Sequence, residues 1–201
     1  LDDESPGKSY LNEYNFISDI ASRSNKYAQR VKDAYAAGKV KLAGKYGSDS
    51  FSKQLSNCAA LIAGGLNTKV YVVSMGGFDT HVSQNTAPEY GAHPGLLTNL
   101  GVGISEFMYD MVNLNMGDRV LGLTVSEFGR RPDQNGSLGT DHGTSGIQFV
   151  FGTQVNSGVF GNPPDLVHRD ENENIPFNVD YRQVYLEVLT KWFDLSIDDA
   201  R

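Results

Sequence analysis

The chain has 201 residues, of which 39% are hydrophobic and 20% charged, and a formal net charge of −7. That size fits one ordinary soluble domain able to bury a core, and the apolar content excludes an intrinsically disordered chain. The acidic balance and scattered Lys and Arg exclude a nucleic-acid binder, and no apolar run reaches the roughly 18 residues of a transmembrane helix. The single cysteine, Cys58, excludes a disulfide framework and a Cys-rich zinc site.

No signal peptide is visible and the chain begins at Leu1, as expected of a processed or trimmed product. Residues 1–9 are polar and expected to fray. Residues 10–37 predict a helix, because Tyr10, Tyr14, Ile17 and Ile20, then Tyr27, Val31 and Ala34, recur at three- and four-residue spacing. Gly38 is its expected stop, and residues 39–48 form a connector. A second helix is expected from about Asp49, with Phe51, Leu55, Cys58, Ile62 and Leu66 on one stripe and Gly64-Gly65 at its end. Cys58 on that stripe is expected to be a buried small hydrophobe.

Lys69–Met75 predicts a buried strand, residues 95–115 a helix closed by Gly117, and Arg119–Val125 a second buried strand. Strand, helix and strand in that order make a βαβ unit. Ile147–Phe151 predicts a third strand, and residues 152–179 are loop-rich. Asp180 predicts an N-cap for a last amphipathic helix reaching Trp192. The expected class is α/β, a mostly parallel sheet flanked by helices. Residues 1–48 form a helical segment packing on the core of an α/β domain, 49–201. Only three or four strands are visible, so further strands of the sheet are expected upstream.

Two connections, 76–94 and 126–146, are longer than the 2–6 residues usual in α/β units. Both would leave the carboxyl ends of parallel strands, where open α/β sheets bind ligands. The first opens Gly76-Gly77-Phe78-Asp79-Thr80-His81. In an extended segment residues i and i+2 point the same way, so Asp79 and His81 converge, either on a divalent metal or simply on each other. The second opens Ser126-Glu127-Phe128-Gly129-Arg130-Arg131. Glu127 stands level with Asp79 and is either a ligand or a partner for Arg130. The arginines would hold an oxyanion or remain solvated. The loop ends Gly139-Thr140-Asp141-His142-Gly143-Thr144, where one of Asp141 and His142 would bind an ion and the other anchor the loop, or the two would form a structural hydrogen bond. Asp79, His81, Glu127, Asp141 and His142 therefore gather on one edge. Mixed N and O ligands suit Zn, Mn or Fe, and Ca or Mg if carboxylates dominate. The set allows one ion or two. His93 and His168 are expected at the surface, the acidic 165–175 stretch as solvated loop, and Asn135-Gly136-Ser137 as a turn.

The three motifs in this order, with Gln84 after the first and Asp180-Tyr181-Arg182 before the last helix, resemble the bacterial family catalogued as domain of unknown function 1501. The resemblance covers about residues 50–193. It implies an alkaline phosphatase- or sulfatase-like core, here lacking its N-terminal part, in an exported, periplasmic protein. It implies one ion held by Asp79, His81 and His142 and a second held by Glu127, although Glu127-Phe128 stands where an Asp-His pair is usual. No nucleophile is identified: Ser74, Ser126 and Thr140 are nearby hydroxyls without a geometric claim to the role. The expected function is metal-dependent hydrolysis of a phosphate or sulfate ester, with Arg130 helping to hold a small anionic ester or a sulfated or phosphorylated glycan. The alternatives are a non-catalytic exported binding or partner module on a hydrolase-like fold, and a structural subunit whose motifs only fix loops.

Overall fold

The computed structural model describes residues 6–85 and 91–200, with side chains from Tyr10 onward. The expectation for residues 1–5, and residues 86–90 of the first long connection, lie outside the described residues. The chain forms two compact units. One contains the segment up to Gly76 together with Leu97–Val120, and the other contains Gly77–Leu96 together with the chain from Leu121 onward.

The first unit is helical. Helix α1, Pro6–Lys39, starts on proline, whose fixed φ and missing N–H suit a first helical position. Helix α2, Ser50–Ala63, is capped by Asp49, whose carboxylate accepts from Ser52 N at 2.9 Å. Gly65, at φ +79°, turns the chain after α2 as expected. Helix α3 runs Ala92–Asn113. The buried apolar side chains are Ala34, Phe51, Leu55, Ala59, Ala60, Ala63, Phe107 and Met111, so the core centres on α2, which meets α1 at Gly38 and Gly64 and meets α3 where Gly103 lies against Phe51 and Leu55.

Gly38 is not the stop expected of it. Helix α1 continues through it to Lys39, and a Cβ on Gly38 would lie 1.7 Å from the Ala60 carbonyl oxygen. A Cβ on Gly64 would lie 1.8 Å from that of Ala34. The two glycines let the helix backbones touch. Helix α2 has 14 residues and α1 has 34, about 21 Å against 51 Å at 1.5 Å per residue. The N-terminal part of the α1 stripe, Tyr10, Tyr14, Ile17 and Ile20, is consequently exposed rather than packed. Cys58 is half-buried with a free thiol, and burial pushes its pKa up, as a small hydrophobe requires.

The connector between α1 and α2 is tied to α3 by two carboxyls, Glu106, whose Oε2 accepts from Lys45 N at 2.6 Å, and the buried Asp110. Asp110 of α3 is 1% exposed. Its Oδ1 accepts from Ala43 N at 2.7 Å and Gly44 N at 2.8 Å, and its Oδ2 from the Tyr46 hydroxyl at 2.9 Å. Burial first, and then Asp110, push the Tyr46 phenol far above its ordinary pKa.

The second unit holds all the named strands. These are β1 Gly122–Leu123, β2 Gly129–Gln134, β3 Thr140–Gly143 and β4 Val150–Phe151. They pair as two separate antiparallel ribbons, β1 with β4 and β2 with β3. Helix α4, Tyr181–Glu187, follows the expected N-cap, with Asp180 accepting from Arg182 N, and runs into a π-helical turn, Val188–Trp192.

This overturns the α/β class with a mostly parallel sheet and a phosphatase- or sulfatase-like core: among the described residues every strand pair is antiparallel. A continuous apolar run shows that a segment favours extension but not what will pair with it. Lys69–Met75 forms no ladder. The Gln54 side-chain amide accepts from Ser74 N at 3.0 Å and donates to Ser74 O at 2.9 Å, taking the place of a neighbouring strand. Val72 is 85% exposed and Ile147 84%, so these runs are not the buried strands their composition suggested. Among the described residues the second unit fully buries only the side chains of Thr80 and Asn174, while apolar residues such as Leu121, Phe151, Leu186, Leu189 and Trp192 are half-buried.

Candidate metal centre

The site lies wholly in the second unit, on the segment after Gly77 and on the β2–β3 hairpin. The 126–146 connection, expected as loop, is this hairpin. Its turn is the expected Asn135-Gly136-Ser137: the Asn135 side-chain oxygen accepts from Ser137 N at 2.9 Å and Gly139 N at 3.0 Å, and Asn135 N donates to Gly139 O.

The Asp79–Gln84 segment lies along the hairpin. Ser83 N donates to Ser137 O and Gln84 N to Leu138 O, and Val82 bridges Leu138. Gly139 is required here, because a Cβ would lie 2.2 Å from the His81 carbonyl group. Thr80 points inward and is buried; its hydroxyl donates to Gln84 Oε1 at 2.9 Å, which also accepts from Thr140 Oγ1 at 2.8 Å. With Thr80 turned in, Asp79 and His81 share the other side.

Three donors meet there. His142 Nε2 is 2.7 Å and His81 Nε2 is 3.0 Å from the same oxygen, Asp79 Oδ1. One ligand atom from each of Asp79, His81 and His142 lies within 4.8 Å of the others. Asp141 stands behind the first imidazole, its Oδ1 3.2 Å from His81 Nδ1. Asn135 Nδ2 donates to that same Asp141 oxygen at 3.1 Å and to His81 O at 3.0 Å. His142 has a different support: Phe128 stacks on it at 3.9 Å between ring centroids and 6° between planes. The carboxylates carry the electrostatic signature of these contacts. Hydrogen bonding to His142 holds Asp79 below the ordinary carboxylate range, and bonding to Asn135 and then His81 does the same for Asp141.

Arg130, expected at a substrate anion, has a side chain only 18% exposed. It donates to Thr140 O at 2.7 Å, to Phe78 O, and to Asp79 Oδ1 at 3.3 Å. It therefore fastens the Asp79 segment to the hairpin. Glu127 is exposed and has no ion pair among the described residues; it does not join the three donors. Of the hydroxyls, Ser126 donates to Phe128 O at 2.9 Å and Thr140 to Gln84, while Ser74 belongs to the other unit.

His93 is not the surface residue expected. It is half-buried edge-on to Phe78, its ring centroid 6.2 Å away, with Nδ1 buried and without a hydrogen-bond partner. Burial and Arg130 lower its pKa. His168 is exposed as expected, paired with Asp165 at 2.7 Å. In the 165–175 stretch Asp170 accepts from Asn172 N and Asn174 N, and Arg169 pairs with Asp133 and Glu173. Asn135, Gln84 and Phe128 shape the site, and none was singled out as functional from sequence. The visible signals were the Asn-Gly turn, which placed Asn135 opposite Gly139, and the positions of Gln84 and Phe128 inside the motifs.

The donor chemistry fits a divalent transition ion. Two imidazoles and a carboxylate converge, one imidazole is already oriented through its second nitrogen, and each ligand side chain is between 41% and 60% exposed, open to entry. No helix is long and apolar enough to cross a membrane among the described residues. The profile of a family described as Protein of unknown function (DUF1501) matches residues 20–196. No curated protein and no solved structure matches the chain.

Proposed function

The chain belongs to the DUF1501 family, and we propose that it holds a divalent metal at Asp79, His81 and His142 for hydrolysis of a phosphate or sulfate ester. The observation that carries this is the convergence of the three donors on one point. An N₂O set favours Zn, Mn or Fe over Ca and Mg, which take all-oxygen shells. Three protein ligands leave coordination positions for a substrate. A bound ion would supply Lewis-acid polarisation of an ester oxygen.

The chain's own residues then have separate tasks. Asp79 stays ionised and offers Oδ1 to the centre. Asp141, steadied by Asn135, fixes which nitrogen His81 presents. Arg130 keeps the two ligand-bearing segments in register. No hydroxyl is offered as nucleophile, since Ser126, Thr80 and Thr140 all donate to nearby oxygens. Water is the nucleophile in this reading. The same observation favours a second reading, a binding module that holds an ion or anionic ligand without turning it over.

Aryl phosphate and aryl sulfate hydrolysis by the chain loaded in turn with Zn, Mn and Fe separates the two. Turnover that disappears on chelation and in His142→Ala supports the hydrolase. Ion binding without turnover of either ester supports the binding module.

A further inference from the structure

The two imidazoles of the centre are oriented by unlike devices. His81 has a carboxylate on its second ring nitrogen. His142 has none: its one hydrogen-bonding contact among the described residues is Nε2 with Asp79, and its side chain is 46% exposed. A metal-ligating histidine ordinarily relies on its second nitrogen to fix ring angle and tautomer. What His142 has instead is a ring face. Phe128 lies against it nearly parallel, while His81 sits on it at 4.7 Å and 33°. Phe128 is itself held, with the Arg130 guanidinium 5.1 Å from its centroid and its carbonyl accepting from Ser126 Oγ.

Resting on the metal-site reading above, we infer that Phe128 is the positioning residue for His142 and that its ring makes this a one-ion centre. The stack fixes the plane of the His142 imidazole and so aims Nε2 at Asp79. The ring also fills the space beside the triad with a side chain that has no donor atom. Glu127, the adjacent carboxylate and the obvious ligand for a second ion, stays exposed and apart from the three donors. A centre built this way takes one ion per chain, with an affinity that depends on an apolar neighbour.

Stacked aromatic pairs carry an energy equivalent to about two- to tenfold in a binding constant. The test is titration of the full chain with Co²⁺, followed by its visible ligand-field bands, with stoichiometry from equilibrium dialysis. Phe128→Leu keeps bulk without a stacking face, and Phe128→Tyr keeps the face. The parent should bind one Co²⁺. Phe128→Leu should bind it about two- to tenfold more weakly with shifted bands, and Phe128→Tyr should restore both affinity and spectrum. Ion-free melting temperatures, equal across the three, identify the effect as one on the centre rather than on folding. If Phe128→Leu unfolds, Phe128→Met carries the same comparison. One ion bound with the same affinity and bands in every variant overturns the inference and leaves the metal site standing. Two ions in the parent overturn it likewise. A parent that binds none overturns it together with the metal site.

Discussion

Asp110 is the sharpest test of how the first unit is held. Its carboxyl takes three hydrogen bonds, from Ala43 N, Gly44 N and the Tyr46 hydroxyl, at a position 1% exposed. Asp110→Ala removes the acceptor for all three. Each lost bond costs about 1 kcal/mol, and the orphaned donors raise the sum to about 3–4 kcal/mol, since the connector's outer edge can still reach water. Asp110→Asn is far milder. Its carbonyl oxygen can take the two backbone donors, and only the Tyr46 hydroxyl must turn to accept, at about 1 kcal/mol. Urea unfolding followed by circular dichroism measures both, and the alanine variant should also melt roughly 10 °C lower. Tyr46→Phe should cost about 1 kcal/mol in the parent and almost nothing on top of Asp110→Ala. Alanine and asparagine variants within 1 kcal/mol of each other would refute the reasoning, because the three donors would then not need this acceptor.

Three further outcomes follow from the same geometry. Gly38→Ala forces α1 and α2 apart and should cost about 3 kcal/mol in urea unfolding, whereas Gly101→Ala in α3, with nothing within 4 Å of the new Cβ, should be neutral or stabilising by up to about 1 kcal/mol. Asp141→Ala leaves His81 free to turn and should weaken ion binding about 10- to 100-fold by competition with a chelating dye, with Asn135→Ala in the same direction and smaller. Asp180, drawn down to about 2 by Arg182, adds stability that is complete above its ordinary value of 3.8 and is lost as pH falls through about 2. The difference in urea midpoint between the parent and Asp180→Asn should therefore shrink across that interval, and a constant difference would contradict the pairing of the Asp180 carboxylate with the Arg182 guanidinium, since asparagine caps the helix equally well.

Local features were legible from the sequence where residue identity alone decides them. The i, i+2 spacing puts Asp79 and His81 on one side with Thr80 facing inward, although the chain turns at Asp79, where Thr80 N donates to Phe78 O at 2.9 Å, rather than running extended. Asp141 and His142, neighbours on a strand, face different partners, Asp141 meeting His81 and His142 meeting Asp79. Asp180 capped its helix, and Asn135-Gly136 made its turn. The sheet was not legible. Val70, Val72 and Ile147 mark segments that favour extension, but only the three-dimensional partner decides between a parallel ladder, an antiparallel ribbon and no ladder. The Gln54 side chain occupying the place of a strand beside Ser74 has no sequence signature. Gly38 was misjudged for a related reason: glycine serves both as a helix stop and as a close-contact residue, and the choice lies with Ala60 of another helix. Arg130 reads as an anion grip until its donors are seen to meet Phe78 and Thr140.

The proposed function requires Asp79, His81 and His142 to hold an ion. Elemental analysis of the purified chain, beside His81→Ala and His142→Ala after identical metal loading and dialysis, tests that directly. The prediction is one transition metal ion per parent chain and a clear loss of metal from both variants. A parent that retains no metal, or variants that retain as much as the parent, would contradict it.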